Sequence, residues 1–151
     1  MKRITEPGHR VLDHPADMGL EIFAPDLPGL FAESALGLTG VLVDLESVDS
    51  SKLEEVVEVS GRDREDLLFQ WMSEILFLFD CEGKILSRVE FEQFICEAEG
   101  ESKLVARVFG EEFQSDCGRH QVKTYVKAIT LHQLRIAETE DGFSATVYLD
   151  I

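Results

Sequence analysis

EDGFSATVYLDI, Glu140 to Ile151, is the stretch that sets the fold class. Asp141-Gly142 is a compact turn signal. After it, Phe143, Ala145, Val147 and Leu149 alternate with Ser144, Thr146, Tyr148 and Asp150. A period of two marks a strand with one buried face. Leu149 then packs inward, Asp150 projects to the polar side, and the strand runs to Ile151. Turns of this kind join antiparallel neighbours, so this end of the chain belongs to a sheet.

Upstream of the turn, Gln121 to Ile136 is β-rich and predicts one long strand. Phe91–Ala98 and Leu104–Phe109 flank Glu99-Gly100-Glu101-Ser102, the spacing of a hairpin. Val57 and Val59 predict a short strand, and Met18, Leu20 and Ile22 another that ends at Pro25. Two helices interrupt these strands. Asp26 caps the first, Leu27, Leu30, Phe31, Ala35 and Leu38 form its apolar stripe, and Gly40 is its predicted stop. Asp63 caps the second, with Asp66 adding negative charge at its positive end. Leu67, Leu68, Trp71, Ile75, Leu78 and Phe79 give it a broad apolar face, and Cys81 to Lys84 ends it. The order β-α-β-α followed by strands predicts an α+β fold: a largely antiparallel mixed sheet with two helices packed on one face. The 151 residues predict one domain over residues 11–151, after an N-terminal leader over residues 1–10.

Hydrophobic residues make up 44% of the chain, including ten Phe, enough to build a core. No apolar run approaches the roughly 18–20 residues that span a bilayer. Lys2 and Arg3 are followed by no apolar segment of a secretory signal, so the expected location is the cytoplasm. Thirty acidic against fourteen basic side chains leave −16. That charge argues against a direct grip on a nucleic-acid backbone and fits a basic protein partner or cations. Cys81, Cys96 and Cys117 form no CxxC, and His9, His14, His120 and His132 form no paired ligand spacing. Neither a disulfide framework nor a zinc site follows.

The chemistry gathers at three places. Asp150 and the α-carboxylate of Ile151 put two anionic groups within one dipeptide. Like charges held together repel unless a cation compensates, and such oxygens favour Ca2+, Mg2+ or Mn2+ over zinc. A solvated strand end is the plainer reading of the same residues. The second place is DHPAD, Asp13 to Asp17. Its two acids stand roughly 13 Å apart in an extended chain, so they share an ion only if the chain bends. Pro15 favours a bend, Asp17 adjoins the strand and is the better ligand, and Asp13 and His14 hold the loop or face a partner. The third is HQVKTYVKAITLH, His120 to His132. As a strand it puts Lys123 and Lys127 on one face, where Lys127 snorkels, pairs with an acid or reaches a partner's phosphate ligand. Glu33 and Glu74 sit on the two helices, solvated or lining a site.

These segments together are familiar. Asp13-His14-Pro15-Ala16-Asp17 resembles the DHTAD signature of the archease family, with Pro15 where that family usually has Thr. Lys127-Ala128-Ile129-Thr130 with His132 is similar to its KA[VI]T-x-H segment, and Leu68 to Leu76 to its LLFxWLNELL helix. The Asp150-Ile151 ending matches too. The resemblance runs from about Arg10 to the end. It implies a small α+β cytosolic protein that assists RtcB-type RNA ligases in tRNA splicing and RNA repair. Such proteins promote guanylylation of the ligase and its multiple turnover. It further implies a divalent cation, most often calcium, on Asp17, Asp150 and the main-chain or terminal oxygens of Ile151, with Asp13, His14 and Lys127 as functional motif residues. The implied partner is the ligase, with no direct nucleic-acid contact and no membrane. From the acids alone, a divalent-metal-dependent hydrolase using Asp17 and Asp150 is the alternative.

Overall fold

The protein is described by a computed structural model covering residues 6–13, 17–97 and 99–151. The elements run β1 (Gly8–Asp13), β2 (Asp17–Ala24), α1 (Leu27–Leu42), β3 (Leu53–Gly61), α2 (Arg64–Glu82), β4 (Lys84–Ile95), β5 (Ser102–Glu112), β6 (Ala128–Ile129), β7 (Arg135–Thr139) and β8 (Gly142–Asp150). The fold is α+β, and its strands divide between two sheets. One has the order β1-β2-β8-β6, with β7 also on β8; the other has the order β3-β5-β4. Every pairing is antiparallel.

Both helices touch both sheets. Each sheet therefore buries one face against the helices, and the apolar halves of the strands meet in a single core. Leu20, Ile22, Val147 and Leu149 enter it from the five-stranded sheet, and Ile85, Leu104, Ala106 and Val108 from the three-stranded one. Trp71 is its largest buried side chain, and its indole N–H donates to the Phe31 carbonyl at 2.8 Å. A buried indole needs such an acceptor to avoid an unpaired donor. Phe31 meets Phe94 edge-on with centroids 5.1 Å apart.

The caps fall where the sequence places them. Asp26 accepts from the Gly29 N–H at 2.7 Å, and Asp63 from the Asp66 N–H at 2.8 Å. Gly83 closes α2 in the left-handed region, at φ 66°. The predicted stop at Gly40 is overrun, because α1 continues to Leu42. A glycine inside a helix costs about 1 kcal/mol. Burying Val41 and Leu42 returns about 1.5–3 kcal/mol each, so the extension wins.

Two strands differ from expectation. Gly8 to Arg10, in the leader by sequence, pair with Phe23 to Glu21 as part of β1. The region from Gln121 to Ile136 is not one strand. Residues 121–127 are irregular, then β6 and β7 take up successive stretches of the same edge of β8. Val126 and Ile129 are both buried, a spacing of three that no strand supplies. The Lys123 N–H bonds the Leu42 carbonyl at 2.7 Å and its Nζ the Gly40 carbonyl at 2.9 Å. The segment thus satisfies the last turn of α1 instead of a ladder. Gln133, at φ 53°, then turns the chain between β6 and β7.

Candidate functional site

The β2–β8 register sets Asp17 directly opposite Asp150, and β6 sets Ala128 opposite Asp150 on its other side. Directly opposed residues share a face, with Cβ atoms about 4.5–5.5 Å apart. That face is the outer one, since Leu149 and Val147 take the alternate positions and are buried under the helices. Gly19 faces Tyr148 one step along, and Glu21 faces Thr146 a step beyond, with Arg10 and Arg135 opposite these two on the flanking strands. The outer face therefore carries an acid rung, an aromatic rung and a rung ending in arginines. Gly19 is needed here: a Cβ on it would lie 3.2 Å from the Tyr148 ring and 3.1 Å from Leu12.

Asp17 and Asp150 are partly buried, and among the described residues neither has an ion-pair partner. Opposed like charges destabilise a strand pair, so the pair calls for a compensating cation. The Lys127 N–H donates to the Asp150 carbonyl at 2.7 Å. Lys127 itself lines a cleft of about 290 Å³ with Phe77, Asp80 and Cys81 of α2. It makes no ion pair among the described residues. Ile151 follows Asp150 and is 40% exposed. Asp13 ends β1 opposite Met18, so the two acids of DHPAD stand on adjacent antiparallel strands. The side chain of Asp13, and His14 altogether, lie outside the described residues.

The all-oxygen donors here are of the kind that suits a hard divalent ion. Among the described residues no three His, Cys, Asp or Glu side chains gather to hold a metal. The main-chain and terminal oxygens of Ile151 adjoin these two carboxylates along the chain.

Other predicted residues have structural duties. Glu33 bonds His9 Nδ1 at 2.8 Å and ties β1 to α1. Lys123 caps α1, as described. The three cysteines are free thiols; Cys81 and Cys117 are exposed, and burial pushes the Cys96 thiol up to about 11.

A cluster at the end of β5 has no local signature in the sequence. Glu111 is 1% exposed and accepts from Arg119 at 2.9 and 2.8 Å and from the Asp49 N–H. These hydrogen bonds, Arg119 first, hold its carboxyl down to about 2 against the burial that would raise it. His120 is buried beside it, its Nδ1 accepting from the Gln114 N–H at 2.9 Å. The cluster anchors the loop that runs from β5 to Lys127.

The Archease protein family (MTH1598/TM1083) matches residues 9–151. The protein archease of Archaeoglobus fulgidus is 35% identical over 143 residues, covering 95% of this chain and 98% of that protein. That of Methanosarcina mazei is 32% identical over 143 residues, covering 95% of each. The solution structure of Methanobacterium thermoautotrophicum protein 1598 superposes with a TM-score of 0.77 at 30% identity, over 95% of this chain and 99% of that one. A crystal structure from Thermotoga maritima, described as an archease and possible chaperone, shares the fold with a TM-score of 0.59 at 20% identity, over 94% and 96% of the two chains.

Proposed function

This chain belongs to the archease family, and on that premise we propose that it is a non-enzymatic, metal-binding activator of an RtcB-type RNA ligase. It promotes guanylylation of the ligase and multiple turnover, in tRNA splicing or RNA repair, in the cytoplasm. The observation that carries this reading is the opposition of Asp17 and Asp150 on an open sheet face. Two carboxylates without a base between them suit a divalent cation, calcium first and Mg2+ or Mn2+ after it, completed by main-chain oxygens of Ile151. When bound, the ion neutralises the pair and offers a positive centre to an anionic group of the partner. Asp13 and His14 adjoin Asp17 in the sequence, and Lys127 holds the Asp150 carbonyl by its N–H while its ammonium is exposed to the partner.

Charge supports the same partner. A ligase that handles RNA and GTP is electropositive near its active site, and a chain of net charge −16 is steered there at a rate that salt reduces. No helix among the described residues is long and apolar enough to cross a membrane.

The deciding experiment is ligase guanylylation with GTP, measured alone and with wild type, Asp17→Ala or Asp150→Ala. Wild type accelerates the reaction and both variants lose the stimulation while remaining folded. Equal stimulation by the variants rejects the site, and no stimulation by wild type rejects the function.

A further inference from the structure

We propose that His132 and Arg135 form a recognition site for a nucleoside 5′-phosphate on the open face of the five-stranded sheet, with the base stacked on His132 and the phosphate paired with Arg135. Charge bookkeeping points there first. The chain has thirty acidic and fourteen basic side chains, so a base seldom lacks an acid. Among the described Lys and Arg residues, all but Lys52, Lys127 and Arg135 make an ion pair, a carbonyl hydrogen bond or a ring contact. Arg135 stands opposite Thr146 on the outer face and lines a cleft of about 350 Å³ with Gln133, Ser144, Thr146 and Glu21. Glu21 is already taken by Arg10, at 2.8 Å. An unpaired guanidinium among hydroxyls and an amide suits a phosphate, which it binds in a planar fork.

The backbone that carries His132, three residues before Arg135, is fixed by local hydrogen bonds. The Leu134 N–H closes a turn on the Leu131 carbonyl at 3.1 Å, and Gln133 occupies the left-handed region that non-glycine residues enter at a cost. Thr130 Oγ1 donates to the Tyr148 carbonyl at 2.9 Å and accepts the His132 N–H at 3.3 Å. The result sets the exposed His132 ring against Tyr148, centroids 5.9 Å apart. A solvent-facing ring set against another aromatic is a stacking surface for a base. His132 and Arg135 are three residues apart, so their Cα atoms lie within roughly 10 Å, a reach that one nucleotide spans. A single phosphate asks for one cation, not the basic array that a polymer needs, so −16 does not forbid it. The site is separate from the ion proposed on Asp17 and Asp150.

The test is a titration of the full chain with guanosine 5′-monophosphate in EDTA, followed by NMR of the His132 ring and the Arg135 side chain. Both signals shift. Guanosine alone moves chiefly His132, and inorganic phosphate chiefly Arg135. His132→Ala and Arg135→Gln each weaken binding about tenfold or more, Arg135→Lys recovers part of the loss, and Lys52→Gln changes nothing. No shift at millimolar nucleotide overturns the proposal. So does a loss with Lys52→Gln as large as with Arg135→Gln, binding that requires a divalent ion, or capture of a single-stranded RNA that the nucleotide does not displace. These outcomes are independent of the guanylylation assay, so each reading fails on its own evidence.

Discussion

On the outer face of β3-β5-β4, Lys103 reaches Glu58 at 3.0 Å, Arg107 reaches Glu92 at 2.6 Å, and Arg88 lies 3.8 Å over the Phe109 ring. On the outer face of β1-β2-β8-β6, among the described residues, Asp17 and Asp150 stand side by side without a base, and Arg135 without an acid. Among the described residues, the ion pair on that face is Arg10 with Glu21. Both sheets bury their inner faces in one core, so core packing does not explain the contrast. A face whose charges are internally matched asks nothing of its surroundings. A face with separated, unmatched charges of both signs is open to completion from outside, and that face carries Asp17 and Asp150.

The largest expected effect lies where the two regions are joined. Glu111→Ala removes the buried acceptor of Arg119 and of the Asp49 N–H and should cost about 1.5–3 kcal/mol in chemical denaturation. An unchanged midpoint would show that the loop to Lys127 is held by Lys123 and Val126 alone. The pH dependence has a definite sign. The folded pKa of Glu111 is depressed from 4.5 to about 2, so its contribution is complete above 4.5 and is lost as pH falls toward 2. Glu111→Gln should flatten that limb of an acid unfolding curve, and an identical curve would reject the assignment.

Next in size is the acid pair. Asp17→Ala and Asp150→Ala should each reduce ligase stimulation at least about tenfold, or about 1.4 kcal/mol, while thermal unfolding shows both folded. Asp150→Asn sharpens the contrast. In EDTA it should stabilise by about 0.2–1 kcal/mol by relieving the opposed charges, and calcium should raise the Tm of wild type but not of this variant. Destabilisation in EDTA would mean that Asp150 has a partner within the protein. The smallest effect belongs to the matched face: Lys103→Gln should cost about 0.2–1 kcal/mol and leave stimulation at the wild-type level. A large loss of stimulation would move the contact surface to the three-stranded sheet.

Much of the fold was legible because it is written in local patterns. Ala145, Val147 and Leu149 turn inward as their alternation requires, and Asp26, Asp63 and Gly83 begin and end helices as their chemistry requires. The split of Gln121 to Ile136 was not legible, since its β-branched content is that of a strand while its backbone bonds go to the end of α1. Nor was Glu111 with Arg119 and His120, where the signal is burial and burial belongs to the assembled chain. The acids of the candidate site were nameable from motifs and the ending, and the resemblance implied that they converge, but their direct opposition was not readable from the residues, because nothing local fixes the register of β2 on β8.

From the sequence by itself come the α+β class, the helix ends, the acidic character and the identity of the acids. These depend on side-chain periodicity and on residues within a few positions of one another. Which acid faces which, which arginine is left unmatched and which face stays open were decided only by the tertiary structure. They depend on strand register and on a core that draws distant segments together, and both arise from summed burial over the whole chain.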